Sequence, residues 1–168
     1  MAWVTVVVQW AHVALAILWV GIAVTVGVVL TPVSAALSLP EQRAFGLRLG
    51  KRVGPLFGIA GGGTMLLGIL RGTVFGPLHS LGAFTSMYGL TWIVALLLTV
   101  AVAILGGGPL GAGAERLYAD DALWQAAPDG GLSSALAAAQ QRLHVLARWE
   151  LGGFAAILAL MVLMAAGY

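Results

Sequence analysis

Residues 3–30 contain no charged side chain. A run this long and this apolar has few stable solutions. A helix needs about 20 mostly apolar residues to cross a hydrocarbon core of about 30 Å. In water, the same helix would have to be wrapped on every side. A chain of 168 residues has too little interior for that. The rest of the chain repeats the problem, because residues 53–71, 87–105 and 143–167 are also long and apolar enough to span. In all, 61% of residues are hydrophobic and 8% charged, against about 25% charged in ordinary soluble domains. The sequence therefore predicts an all-α integral membrane protein. It is a single domain, a four-transmembrane-helix bundle with the lipid bilayer as its main partner. The first run lacks a basic leader and is about twice the usual signal-peptide core, so it reads as a retained span.

The few charges set an expected orientation. Short loops rich in Lys and Arg stay on the cytoplasmic side. The first loop holds Arg43, Arg48, Lys51 and Arg52. The third holds Arg116 and Arg142, with Arg148 just inside the fourth span. The second loop, residues 72–86, holds none. Loops one and three are expected in the cytoplasm, and both termini outside. The bases show no aromatic-interleaved groove, so nucleic acid is not an expected partner.

The loops carry local signals. Pro32 and Pro40 bracket a turn. Residues 41–53 then read as a short amphipathic interfacial helix, with Phe45, Leu49 and Val53 on one face. Gly106-Gly107-Gly108-Pro109 reads as a helix stop. A short helix over residues 115–126 follows, broken at Pro128-Asp129-Gly130-Gly131. Ser133 is the expected N-cap of the last helix. The second span is rich in glycine, and Gly54, Gly58 and Gly62 recur at spacing four. That pattern lets helix backbones approach closely, or presents a flat face to a planar ligand.

Polar groups at membrane depth need a partner or a task. Thr5, Gln9, His12 and Trp19 fall on one stripe of the first span, at spacings of four, three and seven. That stripe should face the bundle interior. His12 lies nine residues past Trp3, roughly 13 Å inward. Neutral imidazole is a ligand for haem iron, copper or zinc, and a proton relay. It can also be a purely structural hydrogen-bonding group. Candidate second ligands on the same side are His79 in the outer loop and Met65 on span two. Met87, at the start of span three, joins them for copper. His144 begins span four on the opposite side. The chain has no cysteine, which excludes thiolate sites and covalent haem attachment.

Arg71 shares a face with Thr64 and Gly68. At the outer mouth it could hold a haem propionate, or snorkel to the interface. Glu150 reads as a residue near the cytoplasmic interface, paired with Arg148 or a first-loop base. Of Trp3, Trp10, Trp92, Trp124, Trp149 and Tyr88, several lie near expected interfaces, as in an interfacial aromatic belt. Trp19 is deeper, beside a cofactor or filling the core.

Trp10-Ala11-His12, Ile17-Leu18-Trp19-Val20-Gly21 and Leu30-Thr31-Pro32 resemble the start of the copper-resistance D-type (CopD) membrane domains. The segment 41–53 and the glycine-rich span are similar too. The related HemJ-like proteins of four to five spans share an early buried histidine. The resemblance covers roughly residues 9–72 and implies His12 as a cofactor ligand, with Trp19 packed beside it. For HemJ-like proteins it implies b-type haem and protoporphyrinogen oxidation. For the copper-resistance proteins it implies copper handling.

The expectation is a protein of a bacterial inner (plasma) membrane that binds haem b in its outer half. His12 is the iron ligand, His79 or Met65 the second ligand, and Arg71 the propionate partner. Its work is electron transfer or a haem-dependent oxidoreductase reaction, alone or with a redox partner protein. Copper binding or transport is the alternative. A third reading is a cofactor-free interaction subunit, with the glycine face supporting a homodimer.

Overall fold

The computed structural model describes residues 2–125 and 132–166. Among them, every regular element is helical. The long helices are α1 (Ala2–Val24), α3 (Leu39–Gly72), α4 (Met87–Leu105) and α6 (Ser134–Ala165). Two short helices, α2 (Thr31–Ala35) and α5 (Gly113–Ala119), continue α1 and α4 through π-helical segments Thr25–Leu30 and Gly106–Ala112. The result is four membrane-crossing candidates: Trp3–Ala35, Leu39–Gly72, Met87–Ala119 and Ser134–Ala165. They are 33, 34, 33 and 32 residues long. At 1.5 Å per residue each rod is about 50 Å, well beyond the roughly 30 Å of hydrocarbon.

Only 11–28% of each rod's most apolar stretch is buried inside the protein. Trp3, Val7, Trp10, Leu97, Trp149 and Val162 all face outward. An apolar exterior of this kind is stable in lipid and not in water. Integral membrane placement therefore follows from the fold as well as from composition.

α1 packs along α3, and α4 along α6. The principal core sits where all four meet. Trp19, Ala23, Ala60, Val102, Phe154 and Ile157 are buried there. Small residues set the close approach, but not those that the spacing suggested. Gly54, Gly58 and Gly62 have nothing within 4 Å of a notional Cβ. Gly61, Gly63 and Gly68 instead lie under Trp19, Leu15 and His12. The glycine face toward α1 is a packing seam filled by side chains, not an open slot for a planar ligand.

Two helix boundaries differ from expectation. The segment 41–53 is not a separate interfacial helix. It is the first third of α3, which continues through Pro55. The chain enters it through Ser38, whose N–H and hydroxyl both donate to Glu41, at 3.1 and 2.6 Å. This is the capping-box arrangement. The Gly106–Pro109 run does not stop its helix either. A chain break at membrane depth would leave backbone N–H and C=O groups in lipid, so the helix persists and absorbs Pro109 as a π segment. Gly111 makes this possible, since a Cβ there would sit 2.8 Å from the Gly106 carbonyl oxygen. In the other π segment, the Thr31 hydroxyl donates to the Val26 carbonyl at 2.7 Å. Both segments meet α6 at adjacent residues: Gly27 faces Leu151, and Gly106 faces Glu150.

Beyond these segments lies a second, smaller core of Leu117, Trp124 and Leu136. Tyr118 stacks on Trp124 at 5.3 Å and lies over Gly46. Trp124 donates to the Leu117 carbonyl at 2.8 Å. Arg43 donates to the Tyr118 carbonyl at 2.9 Å and pairs with Asp121. Gln42 donates to Ser34 O at 3.1 Å and accepts from Gln140 at 2.9 Å. Arg43, Arg48, Lys51, Arg52, Arg116 and Arg142 lie toward the cap end of the rods, Arg148 lies further along α6, and Arg71 is at the opposite end. Ser133 caps α6 as expected, accepting from Leu136 N at 3.2 Å. The expected break at Pro128-Asp129-Gly130-Gly131, and the outer limit at Gly167, lie outside the described residues.

Candidate functional site

The polar stripe of α1 faces α3 and forms two rungs. Near the sparsely charged end, Arg71 Nε donates to Gln9 Oε1 at 3.0 Å. One turn deeper, His12 Nδ1 lies 2.9 Å from the backbone oxygen of Thr64. A carbonyl can only accept, so Nδ1 carries a proton, and in the neutral tautomer this leaves the lone pair on Nε2. Among the described residues, no hydrogen bond uses Nε2. The ring lies on Gly68, where a Cβ would come to 3.0 Å from Cε1. Gly68 is also approached from α4, whose Trp92 Nε1 points at the Gly68 carbonyl at 3.5 Å. Phe84 meets Trp92 edge-on at 6.1 Å. The site is thus made by α1, α3 and α4 around one glycine.

The other sequence-derived candidates fall at different distances from this chemistry. Arg71 stands at the mouth, one turn from Gly68, with Nη1 also donating to Phe75 O at 3.1 Å. Two of its donors are thereby engaged within the protein. Met65 is half-buried and follows the Thr64 carbonyl in α3. His79 is exposed in the loop, and its side chain makes no hydrogen bond among the described residues. Its neighbour Leu78 is the residue that folds in, buried at 4% exposure. Met87 and His144 are exposed. No group of three or more His, Asp and Glu side chains suited to a metal occurs among the described residues.

Trp19 is 3% exposed and meets Phe57 and Phe154 edge-on at 5.9 and 4.8 Å. It fills the core with protein contacts on its faces. Among the described residues its Nε1 has no hydrogen-bond partner, and neither has Thr64 Oγ1. Trp92 and Trp124 pack into the protein.

Glu150 departs most from expectation. It is not an interfacial group paired with Arg148. Residues two apart on a helix point roughly 200° apart. Arg148 therefore turns outward while Glu150 turns in, at 4% exposure. Its Oε1 lies against Gly106, with Phe57 beside it, and has no hydrogen-bond partner among the described residues. The signal available in sequence was the Gly106 run: a site without side chains beside a helix carrying one acid.

Comparison with family models, with curated proteins and with solved structures finds no match to this chain.

Proposed function

We propose that this protein is a membrane haem b protein, with His12 Nε2 as the axial iron ligand and electron transfer or redox chemistry as its work. The supporting observation is the anchored imidazole: Nδ1–H is held by Thr64 O at 2.9 Å, across 52 residues of sequence. Ligating histidines characteristically donate their second nitrogen to a carbonyl or carboxylate, which fixes tautomer and ring orientation.

In this reading His12 would supply one axial imidazole, with Arg71 toward the end of α3 above it. Met65 is the candidate second ligand on the packed elements. His79 would have to move in from its exposed loop. Arg71 retains one terminal nitrogen for a propionate beyond its bonds to Gln9 and Phe75. Haem would supply the one-electron chemistry, and the chain would supply ligation, burial and orientation. The resemblance of residues 9–72 to the CopD and HemJ-like proteins agrees with a metal-centred role. The gathering of bases at the cap end agrees with a cytoplasmic cap and outer termini, the usual arrangement in a bacterial inner membrane.

The test is the absorbance spectrum of detergent-purified protein produced with haem available. A Soret band that shifts on dithionite reduction and vanishes in His12→Ala is expected. A folded, haem-free protein overturns the proposal, and stoichiometric copper in the same sample moves it to the copper reading. A band unchanged in His12→Ala overturns the ligand assignment.

A further inference from the structure

An open cleft of about 520 Å³ lies between α5 and the first turns of α6. Gly108, Pro109, Ala112 and Leu143 form an apolar wall. Arg116 and Arg142 add two guanidinium groups. Neither arginine has a hydrogen-bond or ion-pair partner among the described residues, whereas Arg43 and Arg71 are both engaged. Asp120 also borders the cleft, but its Oδ1 accepts from Ala122 N at 3.0 Å within its own turn.

The depth of the cleft follows from helix register. Phe57 and Gly106 pack at one level. Arg52 lies five residues beyond Phe57, about 8 Å toward the cap. Arg116 lies ten residues beyond Gly106, about 15 Å in the same direction. Leu143 touches Gly113, so Arg142 sits at nearly the height of Arg116. If Lys51 and Arg52 mark the hydrocarbon edge, both guanidinium groups lie roughly 3–8 Å beyond it. That is the headgroup layer, about 5–8 Å thick on each side. Gly108 and Pro109 lie nearer the hydrocarbon. The cleft is therefore cationic at headgroup depth and apolar toward the acyl chains.

We propose that this cleft binds the phosphate of an anionic phospholipid in the leaflet at the cap end. Arg116 and Arg142 hold the phosphate, and Gly108, Pro109 and Leu143 lie along the acyl chains. Guanidinium groups bind phosphate bidentately, and basic pockets between helices at this depth suit lipid headgroups. The assignment is independent of any cofactor at His12.

The test uses the full chain in detergent, with phosphatidylglycerol, phosphatidylcholine or inorganic phosphate added. Native mass spectrometry and thermal melting are the readouts. Phosphatidylglycerol alone should bind and raise Tm. Arg116→Gln/Arg142→Gln should weaken binding on the order of tenfold. Arg48→Gln/Arg52→Gln, which removes two exposed bases at the same end, should leave it unchanged. Gly108→Leu, at a position with open space around it, should weaken binding from the apolar side with both arginines intact. An equal response in Arg116→Gln/Arg142→Gln, or equal binding of phosphatidylcholine, overturns the proposal. The same shift with inorganic phosphate alone overturns the lipid and leaves a soluble-phosphate site.

Discussion

Oε1 of Glu150 occupies the space that a side chain at position 106 would need. The acid on α6 and the glycine at the end of α4 are therefore one structural unit. A side chain at position 106 would require Glu150 to move.

Gly106→Ala should destabilise the bundle by about 1–3 kcal/mol, the usual range for overpacking. Glu150→Ala on the same background should recover most of that loss. The measurement is unfolding in detergent as a double-mutant cycle. Strict additivity of the two changes would show that the contact carries no energy.

Gly68→Ala should disturb the candidate site without touching His12 itself. The new Cβ would stand 3.0 Å from His12 Cε1, so the ring must tilt against its bond to Thr64. On the proposed haem assignment, retention of the cofactor should fall, while Gly62→Ala, which meets open space, should leave it intact. Equal retention in both variants contradicts the assigned role of Gly68.

Trp19→Ala removes the largest side chain of the principal core, and a loss of about 3–5 kcal/mol is expected. Trp19→Phe should cost much less, since Nε1 has no hydrogen bond among the described residues to lose. Thermal melts of the two variants compare them directly. Equal losses would point to a partner for the indole N–H.

The cap should open separately from the membrane bundle. Gly46→Leu would displace the Tyr118 ring and with it the stack on Trp124. Hydrogen exchange should rise over Gly113–Ala119 while α1 stays protected. Loss of protection in α1 as well would mean that the two cores melt together.

The chain lacks cysteine, so single-cysteine labelling is clean. Ser80→Cys should react with a membrane-impermeant thiol reagent from outside intact cells, and Arg48→Cys only after permeabilisation. The reverse pattern would invert the proposed orientation.

Much of this fold was legible in one dimension, because lipid imposes length and polarity on each rod separately. The stripe of Gln9, His12 and Trp19 was readable for the same reason, as it follows from the period of α1 alone. What could not be read was pairing. Gly61, Gly63 and Gly68, not Gly54, Gly58 and Gly62, approach α1, because rotation of α3 about its axis depends on its neighbours. Glu150 looked interfacial because its linear neighbours are charged, yet its direction is set by packing against Gly106. Pro109 and the glycines around it read as a stop under aqueous rules, which do not hold at a bilayer.

The two π segments have an effect on the molecule as a whole. A π turn holds one more residue than an α turn, so each shifts the following helix by roughly 100°. α1 and α4 undergo this shift at the same height, beside Glu150 and Leu151. Each rod can thus turn one face to the membrane core and a different face to the cap. The α4–α5 rod in this way contributes Val102 to the principal core and Leu117 to the smaller one, while α3 and α6 run unbroken through both levels. A one-residue insertion or deletion within Thr25–Leu30 or Gly106–Ala112 would re-aim the cap while leaving the neighbourhood of His12 in place. The cap's surface, with its arginines, is in this sense free to diverge while the histidine site is kept.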